Sequence, residues 1–292
     1  MKSYANHLEI PSMTTLNEKR PVTAREAEAF IPPLAQFVGC CSLMTKLQEW
    51  VKRPITNDGN LLVEGDPGTG KTALMLAYFR EQFGNPHFFR EQHDPTRKSD
   101  KADGRPVKSI EELREWQPFK QQVIYFKQIN GATDSEAVVR SKLQDVQYAL
   151  NADHRVLLVD ELGELYWRGL EESLRPVLTE SEITVYATAQ NFHSKRKADT
   201  STETDQRLSA LLRRFSHRET TELPTEAEHI RFLVYLIKEW ELKVDSVDTL
   251  KLLVGKSNGI VGWSKRIMIR AIDEPGRKLT RELVESADVD PR

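Results

Sequence analysis

The chain has 292 residues, of which 39% are hydrophobic and 29% charged, which suffices for one large α/β domain with a small second domain. Its formal net charge of −2 excludes a strongly basic protein, so any contact with nucleic acid must come from a local patch. We expect a cytoplasmic protein in a reducing compartment without a membrane partner. No apolar run approaches the roughly 18 residues of a membrane helix, no secretory signal pattern is visible, and the cysteines are the adjacent Cys40 and Cys41.

The first part of the chain contains a predicted arm, a helix and a strand. Residues 1–36 mix polar side chains with prolines and predict an N-terminal arm, in which Thr23 to Glu26 has the pattern of a helix capping box. Apolar residues at helical spacing predict an amphipathic helix over 37–51. The run NLLVEG then predicts a buried parallel strand, and a helix follows from Thr72 to about Phe83. Residues 90–109 are almost free of apolar side chains, which predicts a polar insertion over about 88–109.

Strands alternate with helices through the middle of the chain. Further strands are predicted at 122–129, 154–162, 182–191 and 218–223, with a helix from about 134 to 150. This alternation favours an α/β domain over 37–224, with a parallel sheet covered on both faces. A capping box at Thr225 to Glu228 opens a series of helical segments, which predicts a small all-helical domain over 225–292.

A glycine-rich turn between the first strand and its helix has the spacing of a phosphate-binding loop. Glycines at such a turn let backbone N–H groups point at phosphates, the Lys71 ammonium can reach the β- and γ-phosphates, and the Thr72 hydroxyl can bind Mg²⁺. The motif requires a strand before the loop and a helix after it, and both are predicted here. The predicted phosphate-binding residues are Gly65, Asp66, Pro67, Gly68, Thr69, Gly70, Lys71 and Thr72.

The segment VLLVDE, residues 156–161, supplies the second part of a hydrolytic site. Asp160 is expected at the carboxyl end of a buried strand, where it can hold Mg²⁺ through a water. The neighbouring Glu161 can orient and deprotonate an attacking water, so the two motifs together predict phosphoryl transfer to water. The guanine-specific pattern N-K-x-D is absent, which argues against a GTPase but does not by itself identify adenine as the base. Val38 and Gly39 are candidates for the base pocket, although plain core packing explains them equally well.

With GDPGTGKT, LLVDE and LSALLRRF in this order, residues 37–273 resemble the AAA+ ATPases. The resemblance implies a five-stranded parallel P-loop NTPase sheet flanked by helices and followed by a helical lid. It implies a polar sensor of the γ-phosphate at the end of the fourth strand, which falls on Gln190, with Thr188 and Asn191 as alternatives. It also implies an arginine finger that falls on Arg214, with Arg213 next, acting on a neighbouring subunit in a ring or helical filament.

The family's second sensor is an arginine near the start of a lid helix. The strict register falls on Gly262 or Trp263, so the candidates are the nearby Lys265 and Arg266, which could equally face solvent. In finer detail, the layout of the module is similar to transposition regulators of the TnsC/TniB type and to initiator or helicase-loader ATPases.

Those relatives assemble around double-stranded DNA, which implies candidate contacts in three basic segments of this chain. The first segment follows the second strand and contains Lys127, Asn130, Thr133, Arg140 and Lys142. The second segment follows the fourth strand and contains Lys195, Arg196 and Lys197. The third lies in the insertion and holds Arg97, Lys98, Lys101, Arg105 and Lys108. Each could instead be a set of solvated basic residues among acidic ones.

The leading hypothesis is an ATPase that assembles on DNA and recruits or regulates a DNA-processing partner such as a transposase. The alternatives are an AAA+ protein remodeller or helicase loader, and an ATP-gated scaffold with little turnover. A retained Glu161 argues against the scaffold, because a protein that only senses ATP does not need a base for hydrolysis.

Overall fold

The structure is a computed structural model that describes residues 22–51, 59–83, 124–149, 154–190 and 202–288. The predicted insertion at 88–109, Asn191 and the basic residues 195–197 lie outside these ranges.

The described chain begins with a short capped helix and a longer one. Helix α1 is Ala24–Ala29, and its predicted capping box is confirmed: the Thr23 hydroxyl accepts from the Glu26 N–H, and the Glu26 carboxylate accepts from the Thr23 N–H. A single 3₁₀ turn, Leu34–Gln36, leads to helix α2, Cys41–Val51. The amphipathic helix predicted over 37–51 therefore begins four residues later than expected.

Five strands form one parallel sheet, as predicted. They are β1 Leu61–Glu64, β2 Ile124–Asn130, β3 His154–Asp160, β4 Ile183–Ala189 and β5 His217–Thr220. Their order is β2-β3-β4-β1-β5, and every neighbouring pair is parallel. Because parallel strands end at one edge, the loops after β1, β3 and β4 come together there, and β1 sits where the order of the strands reverses.

Helices cover both faces of this sheet. They are α3 Lys71–Phe83, α4 Glu136–Tyr148, α5 Leu162–Trp167, α6 Glu171–Thr179 and α7 Thr202–Leu212. The buried side chains of β1 and β3 alternate between two hydrophobic clusters. Leu61 and Leu158 pack with α2 and α3, whereas Leu62 and Leu157 pack with α4 and α6. This alternation matters for the site, because it places Asp160 and Thr188 on the same face as α3.

The C-terminal region is helical, with one addition that the sequence did not predict. Its helices are α8 Glu226–Glu239, α9 Val247–Lys256, α10 Val261–Asp273 and α11 Arg281–Ser286. The predicted capping box at Thr225 and Glu228 is confirmed at the start of α8. Two short strands, β6 Lys243–Val244 and β7 Lys278–Leu279, pair in parallel between these helices. We refer to this region as the lid.

A third hydrophobic cluster holds the lid together, and the arm takes part in it. Trp240 is fully buried in this cluster, and Ala27 of α1 belongs to the same cluster. The Phe30 ring lies edge-on to the Trp240 ring, with centroids 6.0 Å apart. Residues 22–30 of the predicted arm are thus packed against the lid. Within the described ranges, no helix combines the length and apolar character that crossing a membrane requires.

Candidate functional site

The glycine-rich loop at 65–70 connects β1 to α3, as its motif predicts. Gly65 has no room for a side chain, because a Cβ there would lie 1.9 Å from the Thr221 hydroxyl oxygen. The same hydroxyl is 2.8 Å from the Thr69 hydroxyl and donates to the Glu64 carbonyl. Thr221, directly after β5, therefore holds the loop against the sheet edge. Thr221 was not among the residues predicted from the sequence, because no local pattern marks it.

Lys71 is buried under the loop and directed at its backbone. Its ammonium donates to the carbonyls of Gly65 at 2.8 Å and Asp66 at 2.9 Å. A lysine has three N–H donors, so one remains for a phosphate oxygen. Burial lowers the pKa of Lys71, while the negative charges of Glu161 and Asp160 act in the opposite direction.

Asp160 is at the centre of a hydrogen-bonded chain. Its Oδ1 accepts from the Thr72 hydroxyl at 2.6 Å and from the Thr188 hydroxyl at 2.5 Å. The Thr188 oxygen in turn accepts from the Glu161 backbone N–H at 3.2 Å. The chain of hydrogen bonds connects the start of α3 to the ends of β3 and β4. We call the glycine-rich loop at 65–70, which directly precedes α3, the phosphate loop. With both hydroxyls on Oδ1, the second carboxylate oxygen is left for a metal-bound water.

These donors suit a magnesium ion that arrives with a nucleotide. Within the described ranges, no cluster of three or more His, Cys, Asp or Glu side chains could hold a metal without further ligands. Mg²⁺ commonly takes one or two protein oxygens, several waters and phosphate oxygens of its substrate. Thr72 and Asp160 are the pair that could supply the protein part, and their contact agrees with that use.

Glu161 has a left-handed backbone, with φ 57° and ψ 50°. For a residue other than glycine this conformation costs about 1–2 kcal/mol, so contacts on both sides must hold it. Its N–H bonds to Thr188, and its carbonyl accepts from the N–H groups of Glu164 and Leu165. The residue is the N-cap of α5 and turns the chain away from β3. Its carboxylate remains close enough to the Lys71 ammonium to influence that group's pKa.

The turn after β2 packs directly on the backbone of the Asp160–Glu161 segment. The Gly131 N–H donates to the Asp160 carbonyl at 2.7 Å, and a Cβ on Gly131 would lie 2.3 Å from the Glu161 carbonyl oxygen. Arg168, one residue beyond α5, donates to the Gly131 carbonyl at 2.6 Å. Neither Gly131 nor Arg168 was a sequence candidate. Through these two residues, the segment after β2, which contains several predicted DNA contacts, is attached to the segment that contains Asp160 and Glu161.

The predicted γ-phosphate sensor and its alternatives lie in different environments. Gln190 directly follows β4 and is half-buried. Thr188, the alternative inside the strand, is fully buried and bonds to Asp160. The geometry therefore gives Thr188 a place in the Asp160 chain, whereas the assignment of Gln190 as sensor stays a prediction.

Arg213 and Arg214 lie at the opposite end of the sheet from the loop of their own chain. The Arg214 carbonyl accepts from the Asn60 side chain at 3.0 Å, and Asn60 immediately precedes β1. The four residues of β1 separate Asn60 from Gly65, and the five steps along the chain span about 16 Å. Arg213 is exposed, and Arg214 donates to the Ala210 carbonyl. A finger at this position can reach a nucleotide only in another subunit.

The two predicted second sensors in the lid are not equally placed. The Lys265 ammonium donates to the carbonyls of Glu28 at 3.0 Å and Phe30 at 2.9 Å, and burial lowers its pKa. It therefore holds the arm in place, whereas Arg266 is exposed. The residue in the strict register, Gly262, contacts the phosphate loop instead, through a hydrogen bond from its N–H to a loop carbonyl.

Val38 and Gly39 lie where the arm meets the connection to the lid. The Gly39 carbonyl accepts from the Glu222 N–H at 2.7 Å, and a Cβ on Gly39 would lie 2.2 Å from the Glu222 carbonyl oxygen. Val38 packs against the hydrophobic cluster of the lid. Their role in a base pocket stays a prediction.

The basic candidates after β2 divide into buried and exposed residues. Lys127 is 3% exposed and its ammonium is 3.1 Å from the Asp145 carboxylate, so it belongs to the protein interior. The Asn130 side chain accepts from the backbone of the following turn, and Lys142 pairs with Asp134 at 2.9 Å. Thr133 and Arg140 are exposed, and of these candidates they have the most accessible side chains.

A five-stranded parallel sheet flanked by helices, with a glycine-rich loop after β1 and the acidic pair Asp160 and Glu161 at the end of β3, is the AAA+ P-loop NTPase fold. Among solved structures, the chain is similar to the Thermotoga maritima RuvB Holliday junction branch migration motor. The TM-score is 0.53 at 16% identity, over 87% of this chain and 70% of that one. A single-substitution variant of that RuvB gives a TM-score of 0.54 at 16% identity, over the same shares of the two chains.

A second variant gives a TM-score of 0.52 at 15% identity, over 88% of this chain and 72% of that one. No family model and no curated protein matches the sequence. Because the identity is so low, the likeness to RuvB establishes the fold alone.

Proposed function

We propose that the protein is an AAA+ ATPase that binds ATP with Mg²⁺ and hydrolyses it at the interface between subunits. The observation that carries the proposal is the hydrogen-bonded chain from Thr72 through Asp160 and Thr188 to Glu161. It joins the candidate metal ligands Thr72 and Asp160 to the backbone of the candidate base Glu161, next to the glycine-rich loop. A protein that only bound phosphate would not need this base, whose strained backbone is held by three hydrogen bonds.

Each residue of the site has a separate task in this proposal. Lys71 neutralises phosphate charge with the donor that its two loop carbonyls leave available. Thr72 and Asp160 would hold Mg²⁺, which when bound neutralises charge on the phosphates. Glu161 orients water and takes its proton, because a carboxylate next to the phosphates is in position for general-base catalysis.

Arg214 acts in trans in this proposal, with Arg213 as the alternative. Since the arginine pair lies about 16 Å of strand away from its own loop, a site with a finger requires a second subunit. The working form is then a ring or a helical filament in which ATP lies between neighbours.

The partner in this proposal is double-stranded DNA, together with a DNA-processing protein such as a transposase. Two observations support DNA: the fold is shared with a branch migration motor, and the turn that touches Glu161 contains the exposed Thr133 and leads to the exposed Arg140. Contacts to phosphates by such residues would be independent of base sequence and sensitive to salt. The assignment of a transposase rests on the layout of the module alone.

The enzymatic part is tested by Glu161→Gln, which keeps the size of the side chain and removes the base. We expect Mg²⁺-dependent ATP hydrolysis to fall by about 100-fold while ATP binding persists. Glu49→Gln, an exposed residue of α2, is the matched control and should hydrolyse ATP like the parent. Parent-like hydrolysis by Glu161→Gln would remove Glu161 from its role, and absence of nucleotide binding by the parent would end the proposal.

The DNA part is tested by electron microscopy of the protein with an ATP analogue, with and without duplex DNA. We expect rings or filaments on DNA, and binding that weakens as salt rises. If DNA changes neither assembly nor hydrolysis while a protein client stimulates hydrolysis, the remodeller is correct instead. Binding of ATP without hydrolysis would favour the scaffold.

A further inference from the structure

The first turn of α10 lies directly on the phosphate loop, backbone against backbone. The Gly262 N–H donates to the Gly68 carbonyl at 2.9 Å. A Cβ on Gly262 would lie 2.8 Å from that oxygen and 3.1 Å from the Gly68 Cα. A Cβ on Gly68 would in turn lie 2.7 Å from a methyl carbon of Ile260. The approach therefore depends on glycine on both sides.

Trp263 borders the same loop residue. Its Nε1 lies 3.6 Å, and its Cδ1 3.7 Å, from the position that a Cβ on Gly68 would take. The polar edge of the indole thus faces the loop. An indole N–H can only donate, and the side chain is half-buried, so the Trp263 donor lies beside the glycine-rich loop without being fully enclosed. None of the hydrogen bonds among the described residues uses it.

Lys265, two residues after Trp263 in α10, bonds to the arm and not to the phosphate loop. Lys265 directs its ammonium to two carbonyls of the arm, at 3.0 and 2.9 Å. At this contact the lid therefore offers the loop a backbone N–H and an indole N–H, which are both uncharged.

We propose that Gly262 and Trp263 form an uncharged nucleotide sensor in the lid. The Gly262 N–H holds the lid helix at Gly68, and the Trp263 N–H donates to the phosphate chain of the bound nucleotide. The position of the lid is thereby coupled to occupancy of the loop without a sensor arginine. The inference rests on the nucleotide binding proposed above and adds to it the residues through which the lid detects the nucleotide.

The test of the indole is Trp263→Phe, which keeps an aromatic ring and removes the N–H. We expect the dissociation constant of a slowly hydrolysed ATP analogue, measured by titration calorimetry with Mg²⁺, to rise roughly tenfold, as for a lost hydrogen bond to a charged group. The analogue should also change the tryptophan emission of the parent, and this change should shrink in Trp263→Phe. If Arg266→Gln weakens binding and Trp263→Phe does not, Arg266 is the sensor and the proposal is overturned.

The test of the backbone contact is Gly262→Ala, with Gly255→Ala as its control. Both glycines are within lid helices, but a Cβ on Gly255 meets nothing within 4 Å. Gly262→Ala should raise the dissociation constant of the ATP analogue by about threefold to tenfold and speed amide hydrogen exchange at residues 66–70. Gly255→Ala should match the parent in both measurements.

The two proposals fail separately. A parent protein that binds no nucleotide overturns the proposed function. A parent that binds the analogue as tightly as both Trp263→Phe and Gly262→Ala do leaves ATP binding in place and overturns the uncharged sensor.

Discussion

Replacing Thr188 by valine isolates the hydroxyl that connects the two acidic residues of the site. The side chain is fully buried in β4. Its oxygen donates to Asp160 at 2.5 Å and accepts from the Glu161 N–H at 3.2 Å. Valine keeps the branched shape and removes both hydrogen bonds, so the loss is almost entirely polar.

The expected cost follows from these two bonds. A hydrogen bond to a charged carboxylate contributes about 1.5–3 kcal/mol, and a buried N–H without a partner costs about 1–3 kcal/mol. Asp160 keeps its bond from Thr72 at 2.6 Å, which limits the damage. We therefore expect Thr188→Val to lower the free energy of unfolding by about 3 kcal/mol. Hydrolysis should fall as well, because the backbone that positions Glu161 loses one of its supports.

Thr184→Val is the matched control for this experiment. Thr184 is in the same strand, is 4% exposed, and pairs in register with Val156 rather than with the site. It lies about 13 Å along the strand from Thr188. Urea unfolding and Mg²⁺-dependent ATP hydrolysis should separate the two valine variants, and Thr188→Ser should recover much of both properties. Equal losses in Thr188→Val and Thr184→Val would refute the role of the hydroxyl.

Three further predictions concern the lid, the turn after β2 and the arm. Burial lowers the pKa of His229 to about 4, below the usual 6.5, so the unfolded chain binds the proton first as pH falls. The free energy of unfolding is therefore unaffected by His229 above about pH 6.5 and falls by about 3 kcal/mol as the pH drops towards 4. Urea unfolding of His229→Leu at several pH values should show a weaker dependence of that free energy on pH. Gly131→Ala forces a Cβ onto the Glu161 carbonyl and should lower hydrolysis by about 100-fold with ATP binding retained, measured against Gly255→Ala. Lys265→Met keeps the apolar stem but loses two hydrogen bonds to the arm, so limited proteolysis should cut the arm faster.

Each of these has an outcome that contradicts it. An unchanged slope of stability against pH in His229→Leu would show that another group titrates. ATP hydrolysis at the parent rate by Gly131→Ala would show that the turn after β2 can shift to accept the Cβ while Glu161 keeps its position. Parent-like proteolysis of Lys265→Met would show that other contacts of the arm suffice to hold it.

Local patterns predicted much of the fold because their causes are local. Both capping boxes, at Thr23 and Thr225, depend on residues three positions apart, and both are present. The buried strands are short apolar runs, and the phosphate loop has a fixed spacing between its glycines and Lys71. The order of the strands, by contrast, depends on which edges meet in three dimensions, and the sequence supplied no prediction of it.

The remaining parts of the site depend on contacts between distant segments. Thr188 reaches Asp160 across 28 positions of sequence, and Thr221 reaches Thr69 across 152. Lys127 resembled a surface cation in the sequence, but strand alternation turns it towards Asp145 of α4. Lys265 is close in sequence to the predicted second sensor, yet the arm supplies acceptors that no pattern in the lid could have indicated.

The arm gives the lid a second point of attachment to the sheet domain. The first is the covalent connection at 221–225. The second is the segment around residues 28–34, which accepts hydrogen bonds from Lys265 of the lid and, through the Ile31 carbonyl, from Arg80 of α3 at 2.6 Å. A rigid body held at two points keeps one rotation, about the line that joins them. The hydrogen bond from the Gly262 N–H to the Gly68 carbonyl is a third contact, and it is the one that opposes this rotation.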